Sequence, residues 1–254
     1  LVLVKKERIG DIHLLHIAKQ DSWNESLPFI IFIHGITSAK EHNLHYAYLL
    51  AEKGFRVVLP DTYLHGERDT GLPQNKVVMA FWDIVIKTIK ELQEIKEHYV
   101  ITGQADPGRI GMAGTSMGGI ITYGALAQYS WIKAAVSLMG NPGYVHAARS
   151  QVQWLKDQGT ELPFSEGDLD RLFTALAEHD LTMKEDKLDG RPLMIWHGQK
   201  DTVVPYEPAR EFYNHMKLKY NDPEQLLYIL DTKAGHKVSR EGLLKTAEWF
   251  GRYL

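Results

Sequence analysis

The sequence predicts an α/β fold: a mostly parallel central sheet with helices on both faces and one small helical insertion. Three observations carry this. Short apolar runs alternate with longer amphipathic stretches. The first clear run, Phe29-Ile30-Ile31-Phe32-Ile33, is apolar at every position, as befits a strand covered on both sides, because successive strand residues point to opposite faces. The segments also follow one another as β-α-β-α, the alternation that parallel pairing requires, since each crossover must bring the chain back to the same end of the sheet. At 254 residues with no internal repeat, the chain is read as one domain, 1–254.

Each element has its own signal. The first 18 residues suit an antiparallel edge hairpin. After the 29–33 strand, Leu44, Ala47, Tyr48 and Ala51 fall at helical spacing, with Gly54 as the stop. Residues 56–59 form the next strand, closed by Pro60. Val77, Phe81, Ile84, Thr88, Leu92 and Ile95 mark one face of a single long helix. Residues 109–113 read as a strand, 117–128 as a helix rich in small residues, and 133–138 as a strand. The rhythm then breaks. From 143 to 187 no strong strand occurs, and 147–155 and 169–177 read as helices. A small helical cap over the carboxyl edge of the sheet fits such an insertion, and an ordinary long connection fits it about as well. Residues 193–196 resume the sheet. A helix carrying Ala209, Phe212, Tyr213 and Met216 follows, then a last strand at 226–230. The closing helix buries Leu243, Ala247 and Phe250 and has Ser239 as its N-cap.

Composition narrows the chemistry. Apolar residues make up 44% and charged residues 24% of the chain, ordinary values for a protein with a packed core. The net charge of −3, with no basic run interleaved with aromatics, argues against nucleic acid or an anionic membrane as partner. Cysteine is absent, which removes disulfides, thiolate metal sites and thiol nucleophiles and suits a cytoplasmic location. The opening LVLVKKERIG meets charge too early for a signal peptide, and no stretch approaches the roughly 18 apolar residues of a membrane span. His42 and His45 lie close together without a third ligand nearby, so no metal is expected. No glycine-rich phosphate loop follows the first strand, so no cofactor is expected either. Oligomeric state leaves no mark in the sequence.

The strongest chemical signal is Gly114-Thr115-Ser116-Met117-Gly118-Gly119, a G-x-S-x-G motif between a predicted strand and a predicted helix. A serine on so sharp a turn is pushed out at the carboxyl edge of the sheet, glycines clear the space around it, and the helix behind offers free N–H groups to a developing oxyanion. The bland alternative is a glycine-rich turn. The longer block from Asp106 to Gly119 resembles the stretch around the catalytic serine in the prolyl-oligopeptidase-like and dienelactone-hydrolase-like branch of the α/β hydrolases, a branch that includes small bacterial carboxylesterases. The resemblance runs from His34 to His236 and is weakest in the cap region and at the N-terminus.

That resemblance implies the rest of a site. Chain order in the fold is nucleophile, acid, histidine. His197-Gly198-Gln199-Lys200-Asp201-Thr202-Val203-Val204-Pro205 is similar to the family's H-G-x-x-D-x-x-V-P block and makes Asp201 the acid, ahead of Asp189 and Asp231. Asp189 precedes its strand and would lie at the wrong end. His236, in Ala234-Gly235-His236, lies between the last strand and the last helix, where the triad histidine belongs. His34-Gly35-Ile36-Thr37 is similar to the family's oxyanion segment. It implies the backbone N–H groups of Ile36 and Met117 as the two donors, with His34 bracing the loop. The stretch Pro60 to Arg68 resembles P-D-x-x-x-H-G-x-R of the small bacterial esterases. Asp61 and Arg68 are expected to pin that loop, and Tyr63 or His65 to line a substrate pocket, with Tyr144 and Trp154 of the cap region as further candidates.

The expected activity is that of a serine carboxylesterase acting on small to medium esters through an acyl-enzyme, with a small-molecule ester as the partner. A peptidase of the same branch, or a non-catalytic protein that retains the fold, are the alternatives.

Overall fold

The computed structural model describes residues 1–159 and 164–254. Residues 160–163, part of the expected 143–187 insertion, lie outside the described residues. Among the described residues eight strands form one sheet: β1 (Val2–Ile9), β2 (Ile12–Lys19), β3 (Leu27–Ile33), β4 (Arg56–Pro60), β5 (Ala105–Thr115), β6 (Ala134–Leu138), β7 (Leu193–Gly198) and β8 (Leu226–Asp231), in the spatial order β1-β2-β4-β3-β5-β6-β7-β8. The hairpin β1/β2 and the β2/β4 pair are antiparallel, and every other pair is parallel. The predicted edge hairpin and parallel body are therefore both present.

Eight helices among the described residues connect and cover the sheet: α1 (Leu44–Glu52), α2 (Gln74–Met79), α3 (Phe81–Ile101), α4 (Met117–Gln128), α5 (Tyr144–Asp157), α6 (Glu166–Ala177), α7 (Glu207–Met216) and α8 (Arg240–Tyr253). The sheet divides two cores. Phe29, Ile31 and Ile33 of β3 face a core built with α3, α4 and α7, while Ile30 and Phe32 face a second core built with α1 and α8. The unbroken apolar run of β3 thus reflects burial on both faces.

Two of the departures from the sequence reading have a local cause. The helix expected to run unbroken from Val77 is broken at Ala80, whose ψ of 10° turns the chain between α2 and α3. The apolar spacing runs straight across the break because Val77 and Ile84, on either side of it, are both buried. Strand β5 begins at Ala105 rather than near 109, with its pairing to β3 interrupted between Leu27 and Phe29. Asp106-Pro107-Gly108 reads as a turn, yet the register shift absorbs it within the strand.

Candidate active site

The carboxyl edge of the sheet gathers the loops that follow β3, β4, β5, β6, β7 and β8. Between β5 and α4, Ser116 takes φ 55° and ψ −115°, a left-handed conformation that L-residues avoid. Its N–H donates to Leu138 O of β6 at 2.8 Å, and its carbonyl accepts from Ile120 N–H at 2.9 Å. The turn is this tight because glycines let backbones touch. A Cβ on Gly118 would lie 2.0 Å from the Ile33 carbonyl oxygen, and one on Gly114 would lie 2.4 Å from Gly118.

The structure brings Ser116, His236 and Asp201 together from three separate loops. The Ser116 hydroxyl reaches His236 Nε2 at 2.9 Å, and His236 Nδ1–H donates to Asp201 Oδ2 at 2.7 Å. The Asp201 carboxylate is wholly covered. Its other oxygen accepts the N–H groups of Val203 and Val204, each at 2.9 Å, which fixes the plane of the group. The loops carrying Asp201 and His236 are joined directly: Lys200 N–H donates to Ala234 O at 2.9 Å, and Gln199 N–H to Asp231 O at 2.8 Å. Gly198 permits this, since a Cβ there would meet Gly235 O at 2.4 Å.

Asp231, a weaker candidate for the acid, instead shapes the loop that carries His236. Its carboxylate accepts the N–H groups of Lys233 and Ala234, and the Lys233 bond, followed by the Ser239 side chain, leads the effects that hold it below the usual carboxylate range. Asp189 lies ahead of β7, at the opposite end of that strand from Asp201. His197, buried beside Asp201, donates Nε2–H to Val204 O at 2.9 Å and lies 3.5 Å from Asp201 Oδ2. Burial lowers its pKa.

The expected oxyanion segment lies against the serine. A Cβ on Gly35 would be 3.4 Å from Ser116 Cβ and 3.9 Å from its Oγ. Ile36 follows directly, and Met117 supplies the first N–H of α4, where a helix leaves its N–H groups without carbonyl partners. His34 braces this loop: Nδ1–H donates to Gly35 O at 2.8 Å, and Nε2 accepts Thr62 N–H at 3.1 Å. Burial pushes its imidazole down to about 4, so it is neutral near neutral pH.

Asp61 and Arg68 both tie down the loop after β4. Asp61 pairs with buried Lys40 at 2.5 Å and also accepts Lys40 N–H and Glu67 N–H. Burial opposes the charge on Lys40, but hydrogen bonds to Asp61, Glu67 and Glu41 outweigh it and raise its pKa. Arg68 donates to the Asp61 carbonyl and forms a two-pronged pair with Glu91, at 2.8 and 2.6 Å.

Three of the four pocket candidates require correction. Tyr144 is wholly buried. Its hydroxyl accepts Gly124 N–H at 3.0 Å and donates to Ile120 O, so the ring docks α5 onto α4. Gly124 leaves the notch that admits it. His65 is 4% exposed, with both ring nitrogens engaged by the loops it joins. Trp154 stands 62% exposed on α5, unenclosed. Tyr63 is half-buried, with Lys87 Nζ lying 3.7 Å above its ring. A cavity lined by Asp186, Asp189, Met216 and Tyr220 includes none of Ser116, Asp201 and His236. Among the described residues no group of three or more His, Asp or Glu side chains is placed to hold a metal ion, and no helix is long and apolar enough to cross a membrane.

Comparison with known proteins agrees with this architecture. The sequence profile of the prolyl oligopeptidase family matches residues 41–254. A Bacillus subtilis (strain 168) protein named as a candidate esterase, YitV, is 49% identical over 255 residues, covering the whole of both chains. Esterase YjfP of Escherichia coli (strain K12) is 26% identical, again over the full length of both. Among solved structures, TT1662 from Thermus thermophilus superposes with a TM-score of 0.74 at 20% identity, covering 98% of each chain.

Proposed function

The chain belongs to the prolyl oligopeptidase family, and from that premise we propose that it is a serine carboxylesterase with Ser116 as nucleophile, His236 as general base and acid, and Asp201 as the orienting carboxylate. The observation that carries this reading is the continuous relay from Ser116 Oγ to His236 to Asp201, at 2.9 and 2.7 Å. Esters are favoured over peptides because the relatives that match over their whole length are named as esterases.

In this reading His236 Nε2 takes the Ser116 proton as Oγ attacks the acyl carbon. The fixed Asp201 carboxylate holds Nδ1 protonated and stabilises the imidazolium. The carbonyl oxygen, now charged, takes the Ile36 and Met117 N–H groups. The alcohol leaves with the proton from Nε2, and a water molecule repeats the sequence to free the carboxylate product. No cofactor is needed. The described part of segment 143–187 acts as a cap: α5 starts from the loop after β6, where Gly140 packs against Gly119 of the elbow. Tyr63 remains the pocket candidate that is neither sealed nor fully exposed. A small-molecule ester as partner, with no role for nucleic acid, accords with the charge balance. A cytoplasmic site of action accords with the cysteine-free composition.

The test is labelling by a fluorophosphonate together with turnover of a chain-length series of p-nitrophenyl esters and acetylated sugars. Wild type is expected to label and to turn over esters, and Ser116→Ala to do neither. Equal labelling of the two proteins would remove the nucleophile assignment. Labelling without turnover of any ester would redirect the reading to amides or thioesters.

A further inference from the structure

Thr37, next to the proposed donor Ile36, has φ 57°. A β-branched residue enters the left-handed region only when its surroundings hold it there. The hold comes from the neighbouring loop: Thr37 N–H donates to His65 Nε2 at 3.0 Å. The imidazole is itself aimed, with Nδ1 2.9 Å from Tyr63 O and 3.0 Å from Thr62 Oγ1. A carbonyl can only accept, so Nδ1 carries the proton and Nε2 presents its lone pair to Thr37. The loop beneath is clamped by the Asp61 carboxylate on Lys40 and on Glu67 N–H. Gly66, at φ 54°, passes so close that any Cβ would fall 2.1 Å from Asp61 Oδ1. The His65-Gly66 pair thus presents one ring nitrogen to one backbone N–H of the serine-facing loop.

Resting on the oxyanion assignment above, we propose that His65 is a positioning residue for ester hydrolysis. By accepting Thr37 N–H as the Nδ1–H tautomer, it fixes the peptide after Ile36 and so aims the Ile36 N–H at the oxyanion. A mere loop brace would affect stability and leave transition-state binding unchanged. An aiming device affects kcat, because a donor displaced by a fraction of an ångström loses most of its effect on the tetrahedral intermediate and little on the ground state.

Two substitutions separate the two nitrogens. The amide of His65→Gln reaches the Nε2 position and can still accept Thr37 N–H. The amide of His65→Asn reaches only the Nδ1 position and keeps the Thr62 and Tyr63 anchors. With p-nitrophenyl acetate, His65→Asn is expected to lower kcat about ten- to a hundredfold, with KM within about twofold. His65→Gln should stay within about threefold of wild type. Inhibition by an alkyl boronic acid, which forms a tetrahedral adduct, should weaken in step with kcat. Equal effects of the two substitutions, or loss of melting temperature with no loss of kcat, overturn the proposal. Amide exchange in wild type needs no variant: Thr37 N–H should gain protection in the phosphonate adduct, and unchanged protection counts against the role. If wild type neither labels nor turns over esters, the serine reading has failed. If it does both while the two variants match, only the role of His65 has failed.

Discussion

At Ser116 the chain accepts a backbone conformation that costs on the order of 1–3 kcal/mol, and the surroundings that enforce it are backbone rather than side chain. The serine N–H is tied to Leu138 O, and Gly118 lies so close to β3 that no side chain could swing aside to relieve a clash with the Ile33 carbonyl. Gly118→Ala is therefore expected to lower the melting temperature by several degrees and to reduce the fraction of molecules titrated by a fluorophosphonate. An unchanged titre would mean that the elbow tolerates more movement than its geometry implies. Asp201→Asn tests a different property. Oδ1 accepts two N–H groups, so an amide must turn its oxygen towards Val203 and Val204 and its NH2 towards His236. That NH2 would donate to Nδ1 and leave Nε2 protonated, unable to take the serine proton. A loss of roughly 10⁴ in kcat is expected, with melting temperature nearly unchanged, and steady-state kinetics alongside calorimetry separates this from unfolding.

Helix α5 shows how an element can depend on a residue far from it in sequence. Its N-cap is Gly143, which has no side chain to cap with. Asp180, 1% exposed, supplies what is missing: Oδ2 accepts Val145 N–H at 2.9 Å, while Oδ1 takes the Thr182 N–H and hydroxyl. Asp180→Ala would leave buried donors unpaired and should cost about 1–3 kcal/mol, read as a lower urea midpoint with an unchanged m-value. Asp180→Asn, which keeps an acceptor, should cost less, and equal costs would assign the effect to packing. Such long-range caps explain what the sequence left hidden. Strand β3 and the elbow were legible from local patterns, an unbroken apolar run and glycines around a serine, while Asp201 and His236 were expected from the resemblance of their blocks to the family's. Asp180 has no such pattern, and neither does the Lys40–Asp61 pair, because their partners are set by how the loops fold over one another. Tyr144 misled for the same reason. An aromatic at the start of a helix looks alike whether it lines a cleft or, as here, fills a notch at Gly124.

Across the whole molecule, burial of neutral imidazoles sets how the fold responds to acid. His16, His34, His65, His179 and His197 are each lowered, with desolvation as the leading cause. For His34 the displacement is from 6.5 to about 4. Below 6.5 the unfolded chain takes up a proton that the folded chain refuses, so the unfolded state gains as pH falls, until the folded state also protonates near 4. Stability from this group is therefore complete above the unfolded value and is lost through that window, by about 3 kcal/mol in total. Hydrogen bonds from Lys6 and Lys40 hold Glu67 near 2, and carboxylates of this kind lose their contribution lower still, as pH falls from 4.5 towards 2. Acid should thus weaken the protein in two stages, histidines first. Urea unfolding followed from about pH 7.5 to about pH 4.5 should show stability falling throughout. At about pH 5 the slope should report net proton uptake on unfolding. His34→Gln, which can accept Thr62 N–H without titrating, should reduce that uptake by close to one proton. An unchanged slope in that variant would show that the acid sensitivity arises elsewhere in the fold.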